Sequence, residues 1–404
     1  MTVLAAASFD VVALIFGALL VIGALASGIA HRSFLSLTAV FVLAGFLLGD
    51  AGFSVLDIDP TSEFVHDLAT VALIVILFRD GLEVEAEMLQ TAWHLPARKL
   101  VIAMPLTCVI VAVATHWLTD LGWTASFLVG ALLSPTDPVL SSSVVTNPRV
   151  PRIVRHSLNL ESGMNDGLAL PAVLAFSAVL AGDDGFVWWR FVLQDVGLGF
   201  AFGIVIGLLA AALLPRKPDI PAHQQSLYAL GVAFLTYGVT VLPPAGNGLI
   251  AVFVCAITLG IRRQDLRHTF EERADDIVEI VKLGVFVVFG SLLTLDGLFG
   301  DGWAAVGIVV VTLLIARPAA IAVALIGTRL PFYLQAFMAW FGPKGVATMA
   351  FSLLVLAEGF PEAERIFNLA ALCVFTSILA HGLSDTPASN WVANRSSAEP
   401  APAP

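Results

Sequence analysis

Apolar runs long enough to cross a bilayer recur from one end of the chain to the other. A helix rises about 1.5 Å per residue, so about 20 apolar residues span a hydrocarbon core about 30 Å thick. Such runs fall near residues 9–30, 34–49, 64–82, 99–118, 123–146, 157–180, 190–214, 224–242, 245–261, 277–295, 303–328, 332–357 and 366–383. Backbone in lipid must satisfy its own hydrogen bonds, and runs of this length do so as helices. The expected fold is an all-α polytopic membrane protein with about thirteen transmembrane helices. Composition agrees: 13% of the 404 residues are charged and 58% hydrophobic, whereas soluble domains carry about 25% charged residues.

The connecting loops orient these spans. Numbered from an N-terminus outside, the inner loops hold fourteen of the 20 Lys and Arg residues, Arg98 and Lys99 among them. The outer segments hold only Arg190 and Arg365, and Arg79, Lys282, Arg317 and Lys344 lie within spans. The outer loops are acidic instead: "DIDPTSE", "GDDG", "FGDG" and "GFPEAE". This is the separation that the positive-inside rule produces in a correct topology, with the C-terminus cytoplasmic. The first run lacks a basic n-region and a small-residue cleavage site, so it reads as a retained helix. Residues 386–404, ending "SSAEPAPAP", read as a short disordered cytoplasmic tail. Cys108, Cys255 and Cys373 sit in apolar segments without CxxC spacing and read as small buried hydrophobes, with no disulfide or metal site. The eight His residues fall mostly in loops and read as solvated.

Two spans are interrupted. The fifth reads "LVGALLSPTDPVLSSSVV", where Pro135 and Pro138 lack amide donors and free the carbonyls of Ala131 and Ser134. The twelfth reads "AWFGPKGVATMAFSLLV", with Gly342, Pro343 and Gly345 around Lys344. The breaks are seven spans apart, and seven is odd, so the matching spans run in opposite directions. That is the arithmetic of two inverted six-helix repeats joined by a linker span. Discontinuous helices at matching repeat positions point to a transporter's midplane site.

The sixth span opens on "ESGMNDG", and ionisable groups within spans are functional candidates by default. Glu161 and Asn165 share one helix face at i, i+4, and Ser162 and Asp166 share the next face round. Asp166 with Ser162, Thr136 and the freed carbonyls would supply hard oxygen ligands, which suit a small hard cation. A carboxylate kept from water takes up a proton more readily, so proton and cation can compete for it. The bland alternative is that Asp166 only hydrogen-bonds a neighbouring helix. Asp137 either ligates the cation or only neutralises the positive end of a half-helix. Lys344 either balances the C-terminal ends of half-helices or takes part in proton coupling. Glu161 and Arg317 carry opposite charges in separate spans, and a buried salt bridge between them would fix Asn165 beside Asp166. Arg317 could instead snorkel to an interface, which its mid-span place in "LLIARPAAIA" disfavours. "LFRDGLEVEAE" at 77–87 reads as the inner end of the third span, and 268–282 as an interfacial or linker helix. Gly199, Gly203 and Gly207 read as a helix-packing surface.

With these residues together, the sequence resembles the monovalent cation:proton antiporters. "SPTDP", "ESGMNDG", "IARP" and "WFGPKG" carry the likeness, which is nearest to the electroneutral sodium/proton antiporters of the NhaP and eukaryotic NHE type. It extends over about residues 9–385. The resemblance implies an NhaA/NhaP-like fold with crossed broken helices, a homodimer, and elevator-type alternating access. It implies one membrane unit over 1–385, with a core mainly at 99–180 and 303–383. The dimerisation part is mainly 9–82 and 224–295, and the linker helix 190–214. It assigns cation and proton binding to Asp166, Asp137, Thr136, Ser162 and Asn165. Glu161, Arg317 and Lys344 form the supporting network. Lys344 departs from the Arg that many relatives carry there. The Asn165–Asp166 pair, in place of two Asp residues, resembles the one-for-one electroneutral class.

The implied activity is exchange of sodium or lithium for protons in a bacterial inner membrane, serving pH homeostasis. It involves no cofactor, no enzymatic step and no nucleic acid. Partners are monovalent cations, protons and membrane lipids. A potassium/proton antiporter of the same fold is the alternative. An intramembrane aspartyl protease using Asp137 and Asp166 is disfavoured because no GxGD occurs. A channel leaves the Glu161/Arg317 pair without a role.

Overall fold

The computed structural model describes residues 37–84, 93–137, 150–182, 186–215, 221–243, 245–273 and 275–398, with Leu14, Gly17, Ala18 and Val21. Most of the first expected span, the second half of the fifth, and Glu85 and Glu87 lie outside the described residues. The rest is helical: α1 (Leu37–Leu48), α2 (Glu63–Leu82), α3 (His94–Leu118), α4 (Trp123–Leu133), α5 (Arg152–Leu180) and α6 (Trp188–Leu213). There follow α7 (Ala222–Val241), α8 (Gly248–Arg262), α9 (Gln264–Arg273), α10 (Asp275–Ser291), α11 (Trp303–Ala324), α12 (Phe332–Trp340), α13 (Val346–Ala357) and α14 (Ala363–Ala398). Among the described residues α3, α5, α6, α11 and α14 are long and apolar enough to cross a membrane singly.

Packing sorts the helices into two sets. One joins α3 to α4, α4 to α5 and α14, and α11 to α3 and α12. The other joins α1 to α10, α2 to α8, α7 to α8 and α6 to α8. The sets meet where α2 and α10 lie against α13, and α2 against α5.

Small residues allow the close approach of α6 to α8. A Cβ added at Gly199 would meet the Asn247 carbonyl and Ile250. At Gly203 it would meet Ala251 and Val254, and at Gly207 Cys255 and Thr258. The three glycines, four residues apart, thus form the face of α6 that lies on α8. Replacing Gly203 with Leu forces these backbones apart. The expected result is a destabilisation of about 1–3 kcal/mol, read as earlier thermal unfolding in detergent. An unchanged unfolding profile would show that α6 does not depend on this face.

The last helix corrects the expected tail. α14 continues through Pro387 to Ala398. Val392 and Ala393 are fully buried, and Arg395 stacks over the Tyr333 and Trp391 rings. Residues 386–398 are therefore packed helix. Their Pro/Ala/Ser composition conceals one apolar face that fits against α12.

At the end carrying the acidic loops, Arg365 ties two of them together. It pairs with Asp301 and, at 2.6 Å, with Asp120. The guanidinium holds the Asp120 carboxyl below the usual carboxylate range.

Candidate ion-binding site

The two interrupted spans meet at their breaks, and each break meets the other's charges. α4 stops at Leu133 because Pro135 cannot continue the ladder. The Ser134 hydroxyl donates to the freed Ala131 carbonyl at 3.1 Å. Lys344 Nζ, from the other break, donates to the Pro135 carbonyl at 3.0 Å and is fully buried. In return Asp137 Oδ2 accepts from the Val346 amide at 3.3 Å, at the positive start of α13. The Asp137 amide donates to the Pro343 carbonyl at 2.8 Å, which joins the two breaks directly. Lys344 thus sits at a helix C-terminus and Asp137 at a helix N-terminus, where their charges are favourable.

Two glycines make this meeting possible. A Cβ at Gly345 would collide with the Asp137 side chain, and one at Gly342 with the Arg317 guanidinium. "GPKG" is therefore two clearances around one cation.

Glu161, on α5, is paired twice. Arg317 Nη1 lies 2.9 Å from Oε1, and Lys99 Nζ lies 2.5 Å from Oε2. Arg317 Nη2 also donates to the Phe341 carbonyl at 2.9 Å, at the C-terminal end of α12. Lys99 donates in addition to the Ser157 carbonyl at 3.0 Å. The Lys99 side chain is fully buried, which corrects its placement in an inner loop. The pairing has a local cause. Both cations border stretches of π-helix, Lys99–Ala103 in α3 and Val311–Ala316 in α11. The wider turn redirects side chains, and such bulges recur at functional positions. The two helices are seven spans apart, so each repeat contributes one cation to the same carboxylate.

Asn165 turns toward the first break. Its Nδ2 donates to the Thr136 carbonyl at 2.6 Å and to Thr136 Oγ1 at 3.1 Å. Its buried Oδ1 has no partner among the described residues. Asp166 is the next residue and is buried, while Ser162 is half-buried one turn earlier. Pro171 leaves the Gly167 carbonyl without its helical donor. Asn165 thus joins Thr136 at the break, with the Asp166 carboxylate next to it in sequence, and such oxygen donors suit a hard monovalent cation.

Sequence reasoning missed Asp80. It reads as part of a charged span end, yet its carboxyl lies in the electrostatic neighbourhood of Asp166. Asp137 and Lys282 lie in the same electrostatic neighbourhood. The approach is made at Gly163, where a Cβ would press on the Asp80 carbonyl at 3.1 Å. The His residues also need correction. His381, on α14, is buried, its ring nitrogens 2.8 Å from the Ser377 carbonyl and 2.9 Å from the Trp340 carbonyl at the end of α12.

A family model described as "Sodium/hydrogen exchanger, transmembrane" matches residues 16–391. The K(+)/H(+) antiporter NhaP of Alkalimonas amylolytica is 27% identical over 384 residues, covering 94% of this chain and 66% of its own. The Na(+)/H(+) antiporter NhaG of Bacillus atrophaeus is 27% identical over 349 residues, covering 81% and 66%. The chain spans just under two thirds of the length of these curated relatives. In fold it matches the sodium proton antiporter MjNhaP1 from Methanocaldococcus jannaschii at pH 8. That match has a TM-score of 0.82 at 19% identity, over 94% of this chain and 97% of that one.

Proposed function

The chain belongs to the transmembrane sodium/hydrogen exchanger family, and from that premise we propose that it exchanges a monovalent cation for a proton across its membrane. One observation carries the reading. Three cations at the breaks are engaged elsewhere, Arg317 and Lys99 on Glu161 and Lys344 on Pro135. Among the described residues Asp166 pairs with no cation, and its charged neighbours are Asp80, Asp137 and Lys282. It is therefore available to exchange a proton for a cation, with Asn165, Thr136 and Ser162 supplying further oxygens and Asp137 closing the break.

The set of α3, α4, α5 and α11 to α14 acts as the moving core, and the set of α1, α2, α7, α8 and α10 as the static part through which a homodimer forms. α6 links them. The acidic end faces outward and the basic end inward, in a bacterial inner membrane. Sodium or lithium is the leading substrate. Potassium is the second reading, favoured by the relatives named K(+)/H(+) antiporters. Exchange is one for one if Asp80 and Asp166 keep a shared proton throughout the cycle, because Asp166 alone then changes its load.

Reconstituted protein with a trapped pH dye tests this. Na+, Li+ or K+, added separately, is expected to drive proton movement. Wild-type vesicles that move no protons in response to any of the three would overturn the exchanger reading. A charge crossing the membrane is worth about 2.3 kcal/mol per 100 mV, so an imposed potential leaves the endpoint of a one-for-one exchanger unchanged. A shifted endpoint would mean that the Asp80 proton moves too.

A further inference from the structure

The second break is held from one face of α14. α12 ends at Trp340, ahead of Gly342 and Pro343, so its last carbonyls need donors from outside the helix. Arg317 donates to the Met338 and Phe341 carbonyls, at 3.4 and 2.9 Å. His381 serves the Trp340 carbonyl, 2.9 Å from its Nε2. A carbonyl only accepts, so this contact places a proton on Nε2. The same ring stacks on the Trp340 indole, with centroids 5.0 Å apart and planes at 26°. The indole Nε1 donates to Ser384 Oγ at 2.8 Å. One turn before His381, Ser377 Oγ accepts from the Lys344 amide at 2.9 Å and lies 3.1 Å from His381 Nδ1. Ser377, His381 and Ser384 are spaced four and three apart and share one face of α14.

These anchors, at Trp340 and Lys344, bracket the residues that touch the first break. The Pro343 carbonyl accepts from the Asp137 amide at 2.8 Å, and Lys344 Nζ donates to the Pro135 carbonyl at 3.0 Å. Thr136 lies between those two contacts, and Asn165 Nδ2 donates to its carbonyl and its Oγ1, at 2.6 and 3.1 Å. Hydrogen bonds thus run from His381 through the second break to the first, and on to the residue beside Asp166.

His381 is 2% exposed and Ser377 fully buried. Filling space alone would favour an apolar side chain, since a buried polar group without a partner is costly. Steadying α14 alone would need only Nδ1, which lies 2.8 Å from the Ser377 carbonyl of the same helix. The imidazole adds a second nitrogen that reaches across to α12.

We propose that His381 is a positioning residue for cation binding. It joins the Trp340 carbonyl to the Ser377 anchor, and so fixes the second break and, through it, Thr136 and Asn165 in the arrangement that receives the cation beside Asp166. The proposal rests on the exchanger reading. A break that wanders is competent for a smaller fraction of the time, and apparent affinity falls by that fraction. The net worth of one such hydrogen bond corresponds to about a three- to tenfold change.

The test compares three variants. His381→Leu removes both nitrogens. His381→Gln places an amide nitrogen near the position of Nε2, and His381→Asn places one near Nδ1. Proton release on adding Na+, Li+ or K+ to protein in detergent gives the half-saturating cation concentration, and dye-loaded vesicles give KM and the saturated rate. His381→Leu should raise half-saturation and KM about three- to tenfold, with the saturated rate changed less than about twofold. Gln should restore wild-type values and Asn should not. His381→Leu combined with Ser377→Ala should cost less than the product of the two single effects, because both act on one anchor. An unchanged half-saturation and KM with a lower unfolding temperature would reduce His381 to a structural cap and overturn the proposal. Equal behaviour of Gln and Asn would also overturn it. Hydrogen exchange read by mass spectrometry over residues 341–347 adds a readout that needs no cation. His381→Leu should speed exchange there, Gln should restore protection, and unchanged protection would overturn the proposal. A wild type that releases no protons therefore counts against the exchanger reading, while the exchange rates still decide the anchor.

Discussion

Asp166→Asn is expected to abolish cation-driven proton movement and leave the protein folded. Asn keeps the size of the side chain. It cannot bind and release a proton, and it brings no charge to a cation. The proton-for-cation alternation is therefore lost entirely, and flux should fall to that of protein-free vesicles. Stability should hold or rise, because a buried carboxyl has been replaced by a neutral amide. Dye flux and thermal unfolding in detergent measure the two halves separately. A variant that still exchanges at the wild-type rate would remove Asp166 from the role.

The second large effect is on folding. Glu161→Gln leaves two buried cations, Lys99 and Arg317, without their shared carboxylate. Removing one partner of a buried ion pair costs about 3–5 kcal/mol, because the other charge stays buried and unpaired. Here two charges are stranded, so the loss should reach the upper part of that range. The expected result is a low yield of folded protein and a much lower unfolding temperature. Lys99→Met should be milder, since Glu161 keeps Arg317. Lys99→Met combined with Glu161→Gln should recover part of the loss, since one stranded cation is gone. A Glu161→Gln protein as stable as wild type would show that the triad does not hold the core together.

These residues differ in how far the sequence exposes them. The spans and both breaks are legible because they depend on local chemistry. Apolar length makes a span, and Pro135 or Gly342-Pro343 interrupts one, whatever packs around it. A Glu161–Arg317 pair could be expected because each charge is stranded mid-span and needs a partner. Lys99 could not. It sits at the edge of an apolar run, where hydropathy cannot separate a loop residue from a first-turn residue, and only the π-turn aims it inward. Asp80 is hidden for a related reason. Arg79, Glu83, Glu85 and Glu87 surround it in sequence and make it look solvated. The small residue that admits it, Gly163, lies on another helix. The end of α14 misleads by composition, since its Pro, Ala and Ser content conceals the face carrying Val392 and Ala393. His381 is obscured by the other His residues, because nothing local distinguishes a cap for the end of α12 from a solvated ring.

The central claim is that one cation and one proton compete for Asp166. Proton release on cation binding tests it most directly. Purified protein in weakly buffered detergent, with a pH indicator, receives Na+, Li+ or K+ at constant ionic strength against choline. The wild type should release protons in a saturable manner, and Asp166→Asn should release none. Release of the same size from Asp166→Asn, or no release from the wild type with any of the three cations, would contradict the account.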